Sequence, residues 1–302
     1  MWSCHICQRR GRRFYRLHMN GCQVARVRIR LFLPPNTGRK LQMVGMVGDD
    51  GFGTRALNNL KRESILASGV GRSNDMPTGC ATVFIDKNSG ENQIVIAAGA
   101  NMDTRADQVP SEILGKGNVV LMQMEVTHEE NWNVIERAYE KGALTILNMA
   151  PAAPVPKEVL DKLDILIVNS IEAKQIAQKL GLEIEGDAIK LANVLAKQCN
   201  LTCVITLGAQ GSVAVEAQSK TAWVVPSMVL ENVVDTTGAG DAFCGAFTAA
   251  LFKGKPIQEA MRVGSVAGSL ACRGKGAQAS IAYHDEIMEN LSKLDDAKQV
   301  DI

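Results

Sequence analysis

The 302-residue sequence has no apolar run that approaches the ~20 residues needed for a membrane-spanning helix. It also has no Gly-x-x-x-x-Gly-Lys-Ser/Thr segment, so a Walker-type loop is not its means of holding phosphate. Of its eight cysteines, those after Cys22 show no regular spacing, as is usual for reduced thiols in the cytosol. These absences argue against a membrane protein and against a disulfide-stabilised secreted domain. They predict a soluble, cytoplasmic protein.

Acidic side chains are missing altogether from residues 1–40, although this segment carries ten of the 33 Lys and Arg residues. The overall net charge is only +1, so the rest of the chain is clearly acidic. Such a basic segment is typical of a transit peptide or a nucleic-acid-binding arm. The spacing of Cys4, Cys7, His18 and Cys22 also imitates a small zinc site. A zinc-stabilised nucleic-acid-binding protein is therefore one hypothesis, and it is the least supported of those considered below.

From Leu41 onwards, short apolar runs alternate with amphipathic stretches of helical length. Several runs are apolar at every position, as in strands that are covered on both faces. The alternation predicts an α/β fold in which helices flank a mostly parallel central sheet. The predicted strands are 41–47, 119–124, 144–147, 165–168 and 204–207, and the predicted helices include 131–141, 171–180 and 186–198.

Residues 78–98 depart from this alternation. Two runs with period-two polarity, 80–86 and 93–98, flank a turn at 87–90 that contains Asn and Gly. This pattern is typical of an antiparallel hairpin. It predicts a small β-flap outside the main sheet.

The clearest chemical signal is the segment 235–241, which reads Asp-Thr-Thr-Gly-Ala-Gly-Asp. It lies between a run that resembles a strand, 223–234, and a helix of small residues. Gly238, Ala239 and Gly240 allow backbone N–H groups to converge at the helix N-terminus, where they can bind phosphate and stabilise developing charge. Asp241, in the first turn, can accept a proton from an alcohol. A glycine-rich turn capped by an Asp would have the same sequence without any catalytic role.

On these residues the sequence resembles the ribokinase family of carbohydrate and nucleoside kinases, because 235–247 fits the C-terminal signature of that family throughout. The resemblance extends from Leu41 to about Leu291. It implies a ribokinase-like α/β fold and ATP-dependent phosphorylation of a sugar hydroxyl. Other segments that follow in the order of the family are 47–53, 99–101, 122–125, 148–152, 169–172, 206–211 and 275–278.

The resemblance also implies roles for individual residues. Catalysis falls to Asp241 with Gly238, Ala239 and Gly240, and sugar binding to Gly99, Asn101, Glu125 and Asp241. ATP binding falls to Asn169, Thr206, Leu207, Gly208, Ala209, Gln210, Gly211, Gly240 and Ser265, although the family often has Asn where Ser265 stands. Mg²⁺ is held by Glu172 through water, and an activating K⁺ by Asp235, Thr237, Ala271, Gly276 and Ser280. The implied partners are ATP, a pentose and a second copy of the chain through the flap, with no nucleic acid and no membrane.

Residues 1–38 do not fit the resemblance, because family members begin with a strand that ends in a sugar-binding Asp, followed by a Gly-Gly-Lys-Gly-Ala-Asn loop. Gln23 to Gly38 can be back-translated with permitted codons so that the reading from the third base is Gly-Gly-Lys-Gly-Ala-Asn-Gln-Ala-Leu-Ser-Ala-Ala-Glu-Tyr-Gly. That is the missing loop and the helix after it. We therefore interpret residues 1–38 as an out-of-frame segment outside the fold, and 39–302 as the kinase domain with a lid hairpin at about 78–98.

Besides the nucleic-acid-binding protein, which is ranked last, three functions remain open on the sequence. A D-ribose kinase is favoured by Glu125, by 99–101 and by 275–278. The second is another sugar or nucleoside kinase of the family. The third is a catalytically inactive nucleotide-binding remnant, because the segment that would read the sugar hydroxyls is missing.

Overall fold

The computed structural model describes residues 23–24, 29–32, 41–85, 92–182, 187–276 and 280–302. Their strands form one ten-stranded sheet and one three-stranded sheet. The strands are β1 (Gln23–Val24), β2 (Ile29–Phe32), β3 (Leu41–Gly48), β4 (Leu66–Ser73), β5 (Cys80–Ile85), β6 (Asn92–Ala97), β7 (Val119–Gln123), β8 (Leu144–Asn148), β9 (Ile165–Asn169), β10 (Thr202–Thr206), β11 (Ser212–Val215), β12 (Thr221–Val225) and β13 (Lys298–Asp301). The helices are α1 (Gly51–Arg62), α2 (His128–Lys141), α3 (Lys157–Leu160), α4 (Ser170–Lys179), α5 (Ala188–Cys199), α6 (Ala239–Phe252), α7 (Ile257–Ala271) and α8 (His284–Leu291).

The large sheet has the strand order β13-β12-β11-β10-β9-β8-β7-β2-β3-β4. Seven of these strands run in one direction, and β2, β11 and β13 run in the other. The sheet is therefore mixed, with the predicted parallel strands at its centre. The connection from β10 to β11 is only a short turn, which is enough for an antiparallel pair but far too short for a parallel crossover.

Both faces of the large sheet are covered by helices, which explains why its central strands are mostly apolar on both faces. In β7, Val119 and Leu121 pack in a cluster with α6 and α7. Val120 and Met122 point the other way and pack in a second cluster with α2, α4 and α5. The predicted α/β fold with helices on both sides of the sheet is confirmed.

The predicted flap is confirmed as the antiparallel pair β5–β6, whose register joins Cys80 to Ala97. The turn at 87–90 lies outside the described residues. At the root of the flap, the Thr78 hydroxyl accepts a hydrogen bond from the Gly48 N–H at 2.9 Å and donates one to Asp50 Oδ1 at 2.7 Å. Burial alone raises the pKa of Asp50, but hydrogen bonds from the Thr78 side chain and from the Gly53 and Thr78 N–H groups hold it below its ordinary value.

Two short segments from within residues 1–38 have a place in the sheets. β2 lies between β3 and β7, and Ile29 is in register with Val44 on one side and Met122 on the other. β1 pairs with β5 of the flap. The backbone of these residues is therefore paired, unlike the expectation that the whole segment lies outside the fold. Cys4, Cys7, His18 and Cys22 lie outside the described residues.

One strand is shorter than its sequence indicates. The apolar run 223–234 continues well beyond β12, which ends at Val225. Pro226 follows immediately, and a proline has no N–H with which to extend the strand ladder. The chain then crosses an irregular segment in which Val229, Val233 and Val234 are exposed. Within the described residues, every helix is too short or too polar to cross a lipid bilayer.

Candidate active site

Polar residues gather at the carboxyl ends of four adjacent parallel strands. Gln123 ends β7 and is in register with Asn148 at the end of β8, and Asn169 ends β9 in register with Thr206 at the end of β10. In open α/β sheets, ligands bind in the crevice outside the carboxyl ends of the strands. The sheet therefore places two pairs of hydrogen-bonding side chains where a ligand is expected.

Helix α6 begins at the same edge. Its N-cap is Gly238, with a φ of +83°, which a residue without a Cβ adopts at no steric cost. Ala239, Gly240 and Asp241 form the first turn, and the N–H groups of a first turn have no carbonyl partner within their own helix. The predicted turn is therefore present as the N-terminus of a 14-residue helix, and phosphate binding by it stays a prediction.

Asp241 is buried, with only 8% of its surface exposed, and it is held by a neighbour that the sequence did not indicate. Gln123 Nε2 donates to Asp241 Oδ1 at 3.1 Å and to Asn148 Oδ1 at 2.8 Å. Gln123 and Asn148 lie in two of the segments that resemble the family, 122–125 and 148–152, but neither of them was assigned a role in the site from the sequence. Each is a polar residue at the end of a largely apolar strand, and that position is the signal by which its role could have been found.

Apart from Asp241 on α6, the predicted sugar-binding residues lie on two segments that touch. Gly99 and Asn101 are in a 3₁₀ turn that follows the flap, and Glu125 is in the loop after β7. The Thr127 hydroxyl in that loop donates to the Met102 carbonyl at 3.0 Å and joins the two segments. Asn101 is fully buried, and neither atom of its amide has a hydrogen-bond partner in the part of the chain that the structure describes. Because buried amides are normally satisfied, such an orphan fits a polar ligand.

Asn169 and Glu172 form a reciprocal capping box at the start of α4. Asn169 Oδ1 accepts from the Ile171 and Glu172 N–H groups at 2.9 and 2.8 Å, and Glu172 Oε2 accepts from the Asn169 N–H at 2.8 Å. This capping explains the Asn-x-x-Glu spacing by itself. The roles of Asn169 towards ATP and of Glu172 towards Mg²⁺ therefore stay predictions.

The predicted nucleotide loop, 206–211, is a compact turn between β10 and β11. Gly208–Gln210 form one 3₁₀ turn, and the Leu207 N–H donates to the Gly211 carbonyl at 2.8 Å. Gly211 has a φ of +97°, and a Cβ built there would lie 2.0 Å from the Val225 carbonyl oxygen. The Ser227 hydroxyl donates to the Ala209 carbonyl and ties the loop to the segment after β12. Gly211 is thus required by the geometry of the loop, and nucleotide contact stays a prediction.

A short series of hydrogen bonds connects four of the five residues predicted to hold K⁺. Asp235 accepts from the Thr237 N–H at 3.0 Å and from the Gly276 N–H at 2.8 Å, and the Ser280 hydroxyl donates to the Gly276 carbonyl at 2.8 Å. Burial alone raises the pKa of Asp235, but hydrogen bonds from Thr237 and Gly276 hold it below its ordinary value. The result is a charged, oxygen-rich group beside the start of α6, which is the donor chemistry that a monovalent cation needs.

The fifth residue, Ala271, is the last residue of α7 and is buried, so only its backbone carbonyl could serve as a ligand. Ser265 lies in the middle of the same helix and is 6% exposed. Ala277 and Gln278, from the predicted adenine-side loop, lie outside the described residues. Within the described residues there is no cluster of three or more His, Cys, Asp or Glu side chains that could hold a metal ion.

The arrangement has the parts that phosphoryl transfer needs. A buried carboxylate can take the proton of an alcohol, and the N-terminus of the helix that carries it can stabilise charge on the transferred group. Phosphoryl transfer relies mainly on such positioning and electrostatic stabilisation, with little covalent participation by the protein.

Comparison with known proteins agrees with this chemistry. A family model described as "pfkB family carbohydrate kinase" matches residues 24–283. The ribokinase of Bacillus subtilis is 36% identical over 257 residues, which cover 84% of this chain and 83% of that protein. The crystal structure of Thermotoga maritima ribokinase superposes with a TM-score of 0.74 at 28% identity, covering 83% of this chain and 81% of that one. A structure of Arabidopsis thaliana ribokinase complexed with ribose and ATP superposes with a TM-score of 0.72 at 28% identity, covering 84% and 82%.

Replacing Gly211 with Ala should disrupt the 206–211 loop, because the new Cβ would overlap the Val225 carbonyl and the backbone would be held at an unfavourable φ. We expect the free energy of unfolding to fall by ~3 kcal/mol and the affinity for ATP to weaken. Chemical denaturation and calorimetric titration with ATP measure the two effects.

Gly208→Ala is the matched control. Gly208 also has a positive φ, +58°, but a Cβ there would have no neighbour within 4 Å. Only the strain of a left-handed residue remains, about 1 kcal/mol. Equal losses of stability in the two variants would show that the close approach to Val225 does not constrain the loop.

Proposed function

The chain belongs to the pfkB family of carbohydrate kinases, and from that premise we propose that it transfers the γ-phosphoryl group of ATP to the primary hydroxyl of D-ribose, giving ribose 5-phosphate. The observation that carries the proposal is the buried carboxylate of Asp241 in the first turn of α6. A proton acceptor and a phosphate-binding helix terminus are thereby combined in a single turn of the chain.

In the proposed mechanism, Asp241 accepts the proton of the attacking hydroxyl. The N–H groups of the turn formed by Gly238, Ala239 and Gly240 stabilise the charge that develops on the transferred phosphoryl group. Residues 206–211 and Asn169 bind the nucleotide on the side of the sheet edge formed by β9 and β10. The acceptor and the donor are thus held by neighbouring strand ends, which is the positioning that an in-line transfer requires.

D-ribose is the proposed acceptor because Gly99, Asn101 and Glu125 lie on two touching segments and Asn101 offers a buried amide that has no hydrogen-bond partner among the described residues. A sugar with several hydroxyls satisfies such an amide as donor and as acceptor. The related A. thaliana ribokinase was solved with ribose and ATP, which supports the same substrates here. The second candidate is a nucleotide-binding protein without sugar kinase activity, and it is favoured by the content of residues 1–38, which have no counterpart of the sugar loop of the family.

Two cations complete the proposal. Mg²⁺ would neutralise charge on the ATP phosphates, and Glu172 would hold it through water, since Mg²⁺ keeps several of its own water ligands. K⁺ would be held beside the α6 turn by oxygens of Asp235, Thr237, Ala271, Gly276 and Ser280. We place the enzyme in the cytoplasm and propose that it pairs with a second copy through the flap.

Asp241→Asn should keep ATP binding and lose turnover, because an amide cannot accept the proton of the substrate. Loss of a general base costs a factor on the order of 10²–10⁴ in rate. We would measure kcat by a coupled ADP assay and ATP affinity by calorimetry, in a protein whose first 38 residues are replaced by the shifted-frame reading, extended upstream to the missing first strand. Asp107→Asn, at an exposed carboxylate in a 3₁₀ turn, is the control. Turnover of the Asp241 variant near that of the control would remove Asp241 from its role.

Potassium should raise kcat of the same protein more than sodium does. The physical reason is the oxygen-rich group around Asp235, whose carboxylate is charged near neutral pH as that of an ordinary Asp is. Initial rates are compared in KCl and NaCl at matched ionic strength, with a tetraalkylammonium salt as the cation-free reference. Equal rates in the two chlorides would rule out a selective cation site at this turn.

The chain as printed should bind ATP without phosphorylating ribose, because its first 38 residues supply neither the sugar-binding Asp nor the glycine-rich sugar loop. The shifted-frame protein should bind ATP and phosphorylate ribose. The two proteins are expressed side by side, and ribose-dependent ADP formation and ATP binding are measured on each. If the 302-residue chain phosphorylates ribose as fast as the shifted-frame protein, the interpretation of residues 1–38 and the assignment of the sugar site are both wrong.

A further inference from the structure

Three buried polar side chains form a chain of hydrogen bonds from the sheet to the catalytic helix. Gln123, Asn148 and Asp241 are 2%, 8% and 8% exposed. Asn148 Nδ2 donates to the Ile167 carbonyl of β9 at 3.2 Å, and Asn148 Oδ1 accepts from Gln123 Nε2 at 2.8 Å. Gln123 Nε2 in turn donates to Asp241 Oδ1 at 3.1 Å, across 118 residues of sequence. The ends of β7 and β8 and the middle of β9 are thereby linked to one carboxylate.

The orientation of each amide in this chain is determined by its neighbours. The Ile167 carbonyl can only accept, so Asn148 must present Nδ2 to it and Oδ1 to Gln123. Gln123 then faces two acceptor oxygens, from Asn148 and from Asp241, and must present its NH₂ group to both. A flipped Gln123 would set its own oxygen against both of them. The donor towards Asp241 is therefore fixed by the backbone of β9.

We propose that Gln123 is a positioning residue for Asp241, resting on the proposed function of that carboxylate as general base. By holding Oδ1 at a fixed distance from the end of β7, Gln123 fixes the rotation of the carboxylate and hence the direction of Oδ2. The hydrogen bond also favours the ionised carboxylate, which is the form able to accept a proton. Asn148 acts on Asp241 only through Gln123, by fixing the orientation of its amide.

The backbone around Gln123 is also held independently of its side chain. Asn131 Nδ2, from α2, donates to the Gln123 carbonyl oxygen at 2.7 Å, and β7 is paired with β2 and β8. A change in the side chain is therefore expected to leave the strand in place. The contact of Gln123 with Asp241 can be removed without removing the sheet that supports it.

The first test follows the Gln123 side chain directly and needs no catalytic activity. In the full chain labelled with ¹⁵N-glutamine, the Gln123 NH₂ resonance is assigned by its disappearance in Gln123→Met. We expect this resonance to move as Asp241 is protonated on acidification, and to lose that movement in Asp241→Asn. A Gln123 resonance with the same pH response in the wild type and in Asp241→Asn would overturn the proposal.

The second test is kinetic. Gln123→Met keeps the length of the side chain and removes the donor, and kcat should fall about tenfold, the equivalent of one hydrogen bond to a charged group. The KM for ATP should change by less than about twofold, as a positioning role predicts. The acid limb of the pH–kcat profile should move to higher pH, because the ionised carboxylate has lost a donor. Gln123→Glu, which replaces the donor with a second carboxylate, should move it further.

Gln42→Met is the matched control, since Gln42 is also a buried glutamine of the large sheet but lies at the opposite end of its strand, β3. Its kcat and pH profile should equal those of the wild type. If Gln123→Met behaves like Gln42→Met, Gln123 does not position Asp241. If no version of the chain phosphorylates ribose, the proposed function fails, while the amide titration still decides whether Gln123 is bonded to the Asp241 carboxylate.

Discussion

The close packing of α6 is the constraint on which the candidate site depends. Ten consecutive residues of this helix, from Asp241 to Ala250, are buried. Gly264 and Gly268 of α7 allow the two helices to approach, because a Cβ at these positions would lie 3.0 Å from the Phe243 ring and 3.1 Å from the Ala239 carbonyl oxygen. The first turn of α6 therefore has no freedom to move along or around its axis. Asp241, in that turn, is buried against the sheet. Because a buried carboxylate is costly without hydrogen bonds, the partners of Asp241 determine whether it is stable there.

The sheet supplies those partners through its register. Each central strand is hydrogen-bonded to a neighbouring strand on both sides. The position of a side chain at its carboxyl end therefore depends on the sheet more than on the loop that follows. Gln123 and Asn148 are adjacent because β7 and β8 pair in parallel, and Asn169 is adjacent to Thr206 because β9 and β10 do. The helix constrains one side of the site and the strand register constrains the other. Loops such as 206–211 lie between these two constraints, and ligand contact is the role proposed for them.

What the sequence could predict follows from how local each signal is. The four strands from β7 to β10 were predictable because burial on both faces makes most of their residues apolar, and the flap because its polarity alternates. The turn at 238–241 was predictable because its glycines and Asp are contiguous. The bond between Gln123 and Asp241 was not, since no local pattern relates residues 118 positions apart. The end of β12 was misjudged because apolar residues continue past Pro226, and there the missing N–H of proline outweighs the hydrophobic pattern.

The capping box of α4 shows how one pair of residues can serve both the fold and the chemistry. Asn169 and Glu172 satisfy N–H groups at the start of the helix, and this requires one oxygen of each side chain. A carboxylate that accepts the Asn169 N–H through Oε2 still presents a charged group at the edge of the sheet. A cation that keeps its own water shell needs no more than this, because the contact runs through water. The hydrogen bond from the Asn169 N–H fixes the position of the Glu172 carboxylate. For a Mg²⁺ ion bound through water, a carboxylate in a fixed position is more important than a carboxylate oxygen that makes no other hydrogen bond. A structural role for Glu172 is therefore compatible with the proposed metal role, and it supplies the rigidity on which that role depends.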